Sequence, residues 1–179
     1  MQVQDEGASA VEGKSVVLVT VGSTKFEDLL EVVDSAAFVE AVVARGYEAL
    51  VVQYGPHAAH APLHLPRLAK EHGLAYQAFA MSSSFASVLA QAALVISHAG
   101  SGTILEGLSI GKKMVVVVND KLMDNHQMEI ASVMGQAKHV FDTTPNQLLA
   151  LLGQADFDQL RPLPPPDTSA FAHFVDSLF

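Results

Sequence analysis

The chain has 179 residues, half of them hydrophobic and 16% charged, with a formal net charge of −9. That length is about one domain, and the composition is that of a folded body with a real core. The acidic balance argues against a nucleic-acid partner, which needs a basic face, and the lack of cysteine excludes disulfides and thiolate metal sites.

Residues 1–13 are polar and acidic, and read as a flexible N-terminus and not as a signal peptide. Val16–Val21 is an apolar, β-branched run bounded by Gly22-Ser23, the pattern of a buried strand. Phe26–Arg45 has apolar residues at helical spacing, with Gly46 as a stop. Leu50–Val52 is a second strand, ended by Tyr54-Gly55-Pro56; after an irregular stretch to Pro66, a short helix is expected at Arg67–His72, stopped by Gly73. Tyr76–Phe79 is predicted as a third strand, Ser84–Ala93 as a helix and Leu94–Ser97 as a fourth strand. Thr103–Ile110 is then a helix closed by Gly111, Met114–Val118 a fifth strand, Asp124–Gly135 a helix, His139–Phe141 a sixth strand and Pro145–Leu152 a helix. Strands alternating with helices imply parallel pairing through right-handed crossovers, hence one doubly wound α/β domain over residues 14–153.

From 154 the composition changes. Pro162, Pro164, Pro165 and Pro166 make a stiff tether, beyond which Phe171, Phe174, Val175 and Leu178 share one helical face. That C-terminal helix either folds back onto its own domain or docks on another chain. No apolar run approaches the ~20 residues of a membrane helix, so a soluble chain is expected, with any membrane association borrowed from a partner.

The chemistry concentrates in Ser97-His98-Ala99-Gly100-Ser101-Gly102-Thr103-Ile104-Leu105-Glu106, which follows the strand Leu94-Val95-Ile96 and opens a helix. The first amides of a helix lack intrahelical partners and sit at the positive end of its dipole, a ready anion site. Gly100 and Gly102 carry no Cβ and let a phosphate approach the backbone. Thr103 and Glu106 also have the spacing of a capping box, against which stands a role for Glu106 on a ribose diol. His98 suits either a phosphate donor or base or a hydrogen-bonded structural histidine. A second polar cluster, Asp124-Asn125-His126-Gln127, brings amide and imidazole groups suited to sugar hydroxyls, or else a helix cap. Two polar sites at successive strand ends fit one ligand with a charged part and a hydroxyl-rich part.

Near matches to other signatures fail. Gly107–Lys113 is one spacer short of a Walker loop and lacks its Ser/Thr, and Gly100-Ser101-Gly102 has Leu105 where a dinucleotide fingerprint has its third glycine. Ser101 is flanked immediately by glycines and is no nucleophile elbow. Pro56 and Pro62 break any common face for His57, His60 and His64, so no metal site is expected.

These motifs, Ser97–Thr103 with Glu106 and Leu122–Gln127 with Glu129, resemble the C-terminal half of GT-B glycosyltransferases, the family 28 C-terminal domain. Within it they are most similar to the soluble catalytic subunits of two-part UDP-GlcNAc transferases that add the second GlcNAc to dolichol-diphosphate-GlcNAc. Val19-Thr20-Val21-Gly22-Ser23-Thr24-Lys25-Phe26 resembles the first strand and loop of those subunits; the likeness runs from Val16 to Leu152 and weakens over residues 55–75. It implies an inverting hexosyltransferase that forms a β1,4 link from UDP-GlcNAc without metal or cofactor. Gly100, Ser101, Gly102 and Thr103 would hold the diphosphate, Glu106 the ribose, and Asn125, His126 and Gln127 the GlcNAc. Gly22 and Ser23 would line the cleft near the diphosphate, the uracil would lie near Phe79–Ser82, and no candidate base on the chain is stronger than His98. The resemblance further implies a membrane-anchored partner subunit that carries the dolichol-linked acceptor and recruits a cytoplasmic chain to the cytosolic face of the endoplasmic reticulum. Another split GT-B transferase and a non-catalytic nucleotide-sugar-binding module are the competing expectations.

Overall fold

The computed structural model describes residues 11–119 and 125–165, with side chains from 129 onward in the second span. The C-terminal segment Phe171–Phe179, assigned above to a fold-back or docking helix, lies outside the described residues. The strands are β1 (Val16–Thr20), β2 (Ala49–Gln53), β3 (Ala75–Phe79), β4 (Ala92–His98), β5 (Lys113–Val117) and β6 (Phe141–Thr143). Between and after them run α1 (Glu27–Val33), α2 (Ala36–Ala44), α3 (Leu65–Glu71), α4 (Phe85–Gln91), α5 (Ser101–Ser109), α6 (Asn125–Gln136) and α7 (Pro145–Gln154). The sheet order is β3-β2-β1-β4-β5-β6 with every pairing parallel, the doubly wound α/β topology expected from the alternation.

Each central strand is buried on both faces, which is why its sequence is continuously apolar rather than alternating. Alternate residues of β1 feed two separate cores. Val17 and Val19 pack with α1, α2, α3 and α7 through Leu29, Phe38, Leu65 and Leu148, while Val16 and Leu18 pack with α4, α5 and α6 through Leu89, Ile104 and Ala131. Val11 joins the second core, so the chain is anchored before β1 begins.

The single helix expected over Phe26–Arg45 is two helices, broken at Asp34-Ser35. Both residues are used for caps. Ser35 Oγ accepts from Phe38 N–H (3.3 Å) at the start of α2. Asp34 accepts from Leu63 N–H (2.9 Å), His64 N–H (2.9 Å) and Leu65 N–H (2.8 Å), satisfying the start of α3, where no side chain of that segment does so. Apolar spacing alone carries no sign of this, because the partner lies 29–31 residues away.

The sixth strand begins at Phe141 instead of His139. Residues 137–139 belong to the closure of α6: Lys138 takes a left-handed φ of 60°, its N–H donates to Gly135 O (2.9 Å), and His139 N–H donates to Met134 O (2.9 Å). This is the helix-ending motif that glycine usually serves, and Gly111 serves it after α5 with φ 72°. At the far end Arg45 donates to Leu152 O and to Ala155 O (2.6 Å) and lies 4.7 Å over the Phe157 ring, which fastens α7 to α2.

Candidate functional site

The chain order reverses between β1 and β4, which are neighbours in the sheet, and crevices form above the carboxyl ends of strands at such a point. A cleft of about 360 Å³ lies there. One wall comes from the ends of β1 and β2: Thr20, Gly22, Ser23 and Gln53. The opposite wall is the first turns of α5, through Gly102, Thr103 and Glu106. Met81, Ser82 and Phe85, following β3, close the third side.

The α5 wall is an amide-rich surface. Helix α5 starts at Ser101 with Gly100 in an extended N-cap conformation and no capping side chain. Ile104 N–H is the first to close an intrahelical bond, onto Gly100 O (3.2 Å), which leaves the amides of Ser101, Gly102 and Thr103 outside the ladder. A Cβ built on Gly102 meets nothing within 4 Å, so this backbone is open to a ligand. The start at Ser101 overturns the capping-box reading of Thr103 and Glu106. Thr103 is the third helical residue, not the N-cap, and Glu106, one turn further, faces the cleft.

Gly100 has a packing duty that its place in the motif does not announce. An added Cβ there would lie 2.3 Å from His98 Nε2, and one on Gly22 would lie 2.5 Å from His98 Cε1. The imidazole thus fills the room left by both glycines, and is itself 8% exposed. Burial lowers its pKa below the usual imidazole value, opposed by the Thr20 backbone nearby; no well-formed hydrogen bond reaches the buried Nδ1, so burial governs and the ring stays neutral. His98 ends β4 and packs against Gly22, which lines the cleft.

Gln53 and Thr20 are site residues that sequence reasoning passed over. Gln53 is 3% exposed and spends its whole amide on the loops around it. Its Oε1 accepts from Thr20 Oγ1–H (2.5 Å) and Gly22 N–H (2.8 Å), and its Nε2 donates to Gly22 O (2.7 Å) and Ala80 O (2.8 Å). A signal was present: Thr20 and Gln53 are the polar residues that end two otherwise apolar strands.

Gly22, Ser23, Gly102, Thr103 and Glu106 are therefore brought together, while Gly100, His98 and the exposed Ser101 are not part of the cleft lining. Of the segment expected to meet a base, Met81 and Ser82 face the cleft, whereas Phe79 lines a smaller cavity beside Val11. Asn125, His126 and Gln127 open the backbone of α6, which follows β5; their side chains lie outside the described residues. Among the described residues no three His, Asp or Glu side chains converge as a metal site, and no helix is long and apolar enough to cross a membrane.

A family model, the glycosyltransferase family 28 C-terminal domain, matches residues 16–178. The chain belongs to this family. The family 28 domain here is 37% identical over 164 residues to the UDP-N-acetylglucosamine transferase subunit ALG13 of Mus musculus, covering 87% of this chain and 14% of that protein. It is 41% identical over 126 residues to the subunit of the same name from Yarrowia lipolytica, covering 70% of this chain and 63% of that protein. The chain thus spans less than two thirds of the length of either relative. A solution NMR structure of ALG13 superposes with a TM-score of 0.64 at 26% identity, covering 92% of this chain and 96% of that one.

Proposed function

We propose that this family 28 domain is the donor-binding subunit of an inverting N-acetylglucosaminyltransferase, moving GlcNAc from UDP-GlcNAc to GlcNAc-diphosphodolichol. One observation carries the reading: Gly102 and Thr103, whose amides are outside the helical ladder, line a single cleft together with the Gly22-Ser23 turn and Glu106. The names of the relatives, UDP-N-acetylglucosamine transferase subunits, support the choice of donor.

The chemistry follows from charge. As the glycosidic bond to UDP breaks, negative charge grows on the diphosphate, and a helix N-terminus with fixed amide donors stabilises it without reorganising. Glu106 accepts hydrogen bonds from the ribose diol. The base rests against Met81, Ser82 and Phe85, and the GlcNAc is met by Asn125, His126 and Gln127. His98, neutral and wedged between Gly22 and Gly100, is assigned to shaping the two turns. The group that activates the acceptor hydroxyl then comes from a membrane-anchored partner subunit, which also presents the dolichol-linked acceptor and holds this cytoplasmic chain at the endoplasmic reticulum.

Calorimetric titration with UDP-GlcNAc, against UDP-glucose and ADP-glucose, tests the donor assignment. Selective heat with UDP-GlcNAc is expected. Equal binding of all three would point to another split transferase, and turnover by the reconstituted pair separates an enzyme from a binding module.

A further inference from the structure

The amide of Gln53 has two donors and two acceptor positions, and all four are occupied. Its partners belong to two different loops. Thr20 and Gly22 lead into the Gly22-Ser23 turn that faces the α5 amides, and Ala80 leads into Met81 and Ser82, whose main chain continues toward Phe85. One buried side chain therefore joins the loop on the phosphate side of the cleft to the loop on its base side. No backbone hydrogen bond recorded among the described residues joins Gly22 or Ser23 directly to Ala80, Met81 or Ser82.

Resting on the donor reading above, we infer that Gln53 is a positioning residue that fixes the distance between the diphosphate and nucleoside subsites. A ligand spanning both subsites gains from their preset separation, because the second contact then becomes intramolecular and no loop has to be ordered on binding. A ligand that occupies one subsite gains nothing from it. Gln53 accordingly favours a whole nucleoside diphosphate over its parts.

The geometry limits what can replace it. Glutamate would turn two donated hydrogen bonds into contacts between a buried carboxylate and the carbonyls of Gly22 and Ala80. Leucine keeps the bulk and removes all four hydrogen bonds.

The test compares UDP with uridine and inorganic pyrophosphate by NMR titration of the full chain and of Gln53→Leu. The expected result is a loss of about tenfold or more in UDP affinity, with uridine and pyrophosphate affinities each within about twofold of the unmodified chain. Unchanged UDP affinity would overturn the inference, and so would a parallel fall for all three ligands, which is what general loss of structure produces. Should Gln53→Leu fail to fold, Thr20→Val keeps nearly the same shape and removes two hydrogen bonds, the one Thr20 Oγ1–H donates to Gln53 and the longer one it accepts from Gly22 N–H (3.2 Å); it is expected to weaken UDP by about three- to fivefold and neither fragment. Equal effects on UDP and fragments in that variant would again overturn it. Failure of the unmodified chain to bind UDP at all is a separate outcome, and it would overturn the donor reading itself.

Discussion

His98 occupies the space that a side chain on Gly100 would need, with Nε2 2.3 Å from the position of an added Cβ. Two residues apart in sequence, the pair forms the turn between β4 and α5, where Gly100 N–H donates to His98 O (2.8 Å). The missing Cβ of Gly100 makes room for the imidazole, whereas an added Cβ on Gly102, which lines the cleft, would meet nothing.

Alanine separates these two glycines. Gly100→Ala pushes a methyl group into a buried ring and should cost about 1–3 kcal/mol of stability, as overpacking does. Gly102→Ala has free space around it and lies in a helix, so its stability should hold or rise by up to about 1 kcal/mol while UDP binding weakens. Chemical denaturation and titration of both variants would check this; equal destabilisation by the two would contradict the assigned roles.

Glu106→Ala should weaken UDP binding by about 1–3 kcal/mol, the cost of a lost charged hydrogen bond. The melting temperature should barely move, because α5 begins at Ser101 and Glu106 caps nothing. A marked fall in melting temperature with unchanged affinity would return the residue to a structural role.

Asp34→Ala should destabilise the fold by about 1–2 kcal/mol, since three backbone donors at the start of α3 lose their acceptor together. Asp34→Asn keeps an acceptor oxygen and should recover part of that loss. Hydrogen exchange at Leu63, His64 and Leu65 reports the effect where it arises.

Acid should weaken the fold through His98. Its folded pKa lies below the ordinary imidazole value of 6.5, so the unfolded chain takes up the proton more readily. The stability contributed by the neutral ring is present above 6.5 and is lost as pH falls from there through the lowered folded value. His98→Asn removes this titration. Comparing the drop in melting temperature between about pH 7.5 and pH 5.5 in the two proteins isolates His98 from the other histidines, and the variant should show the smaller drop. Identical slopes would mean that the ring is not held neutral.

Most of the strands were legible because each central one is buried on both faces and so has to be apolar throughout. The helix stops at Gly46, Gly73 and Gly111 were legible for a similarly local reason: all three take positive φ. Lys138 takes the same conformation without announcing it, and the sixth strand starts at Phe141, two residues later than its apolar pattern suggests. The break at Asp34-Ser35 was invisible because Asp34 answers a need of α3, far along the chain.

For the site, the sequence determined the kind of chemistry on offer: glycines and small residues after a buried strand, opening a helix, make an anion site wherever they occur. Tertiary structure decided which residues share it. Gly22, Ser23, Gln53, Met81 and Glu106 are scattered over 85 positions and meet only because β1, β2, β3 and β4 lie side by side and parallel, so that their carboxyl ends open at one edge of the sheet. It also gave the glycines different duties, Gly102 open to the cleft, Gly100 making room for His98 and Gly22 doing both, a distinction of packing distances that spacing along the chain does not encode.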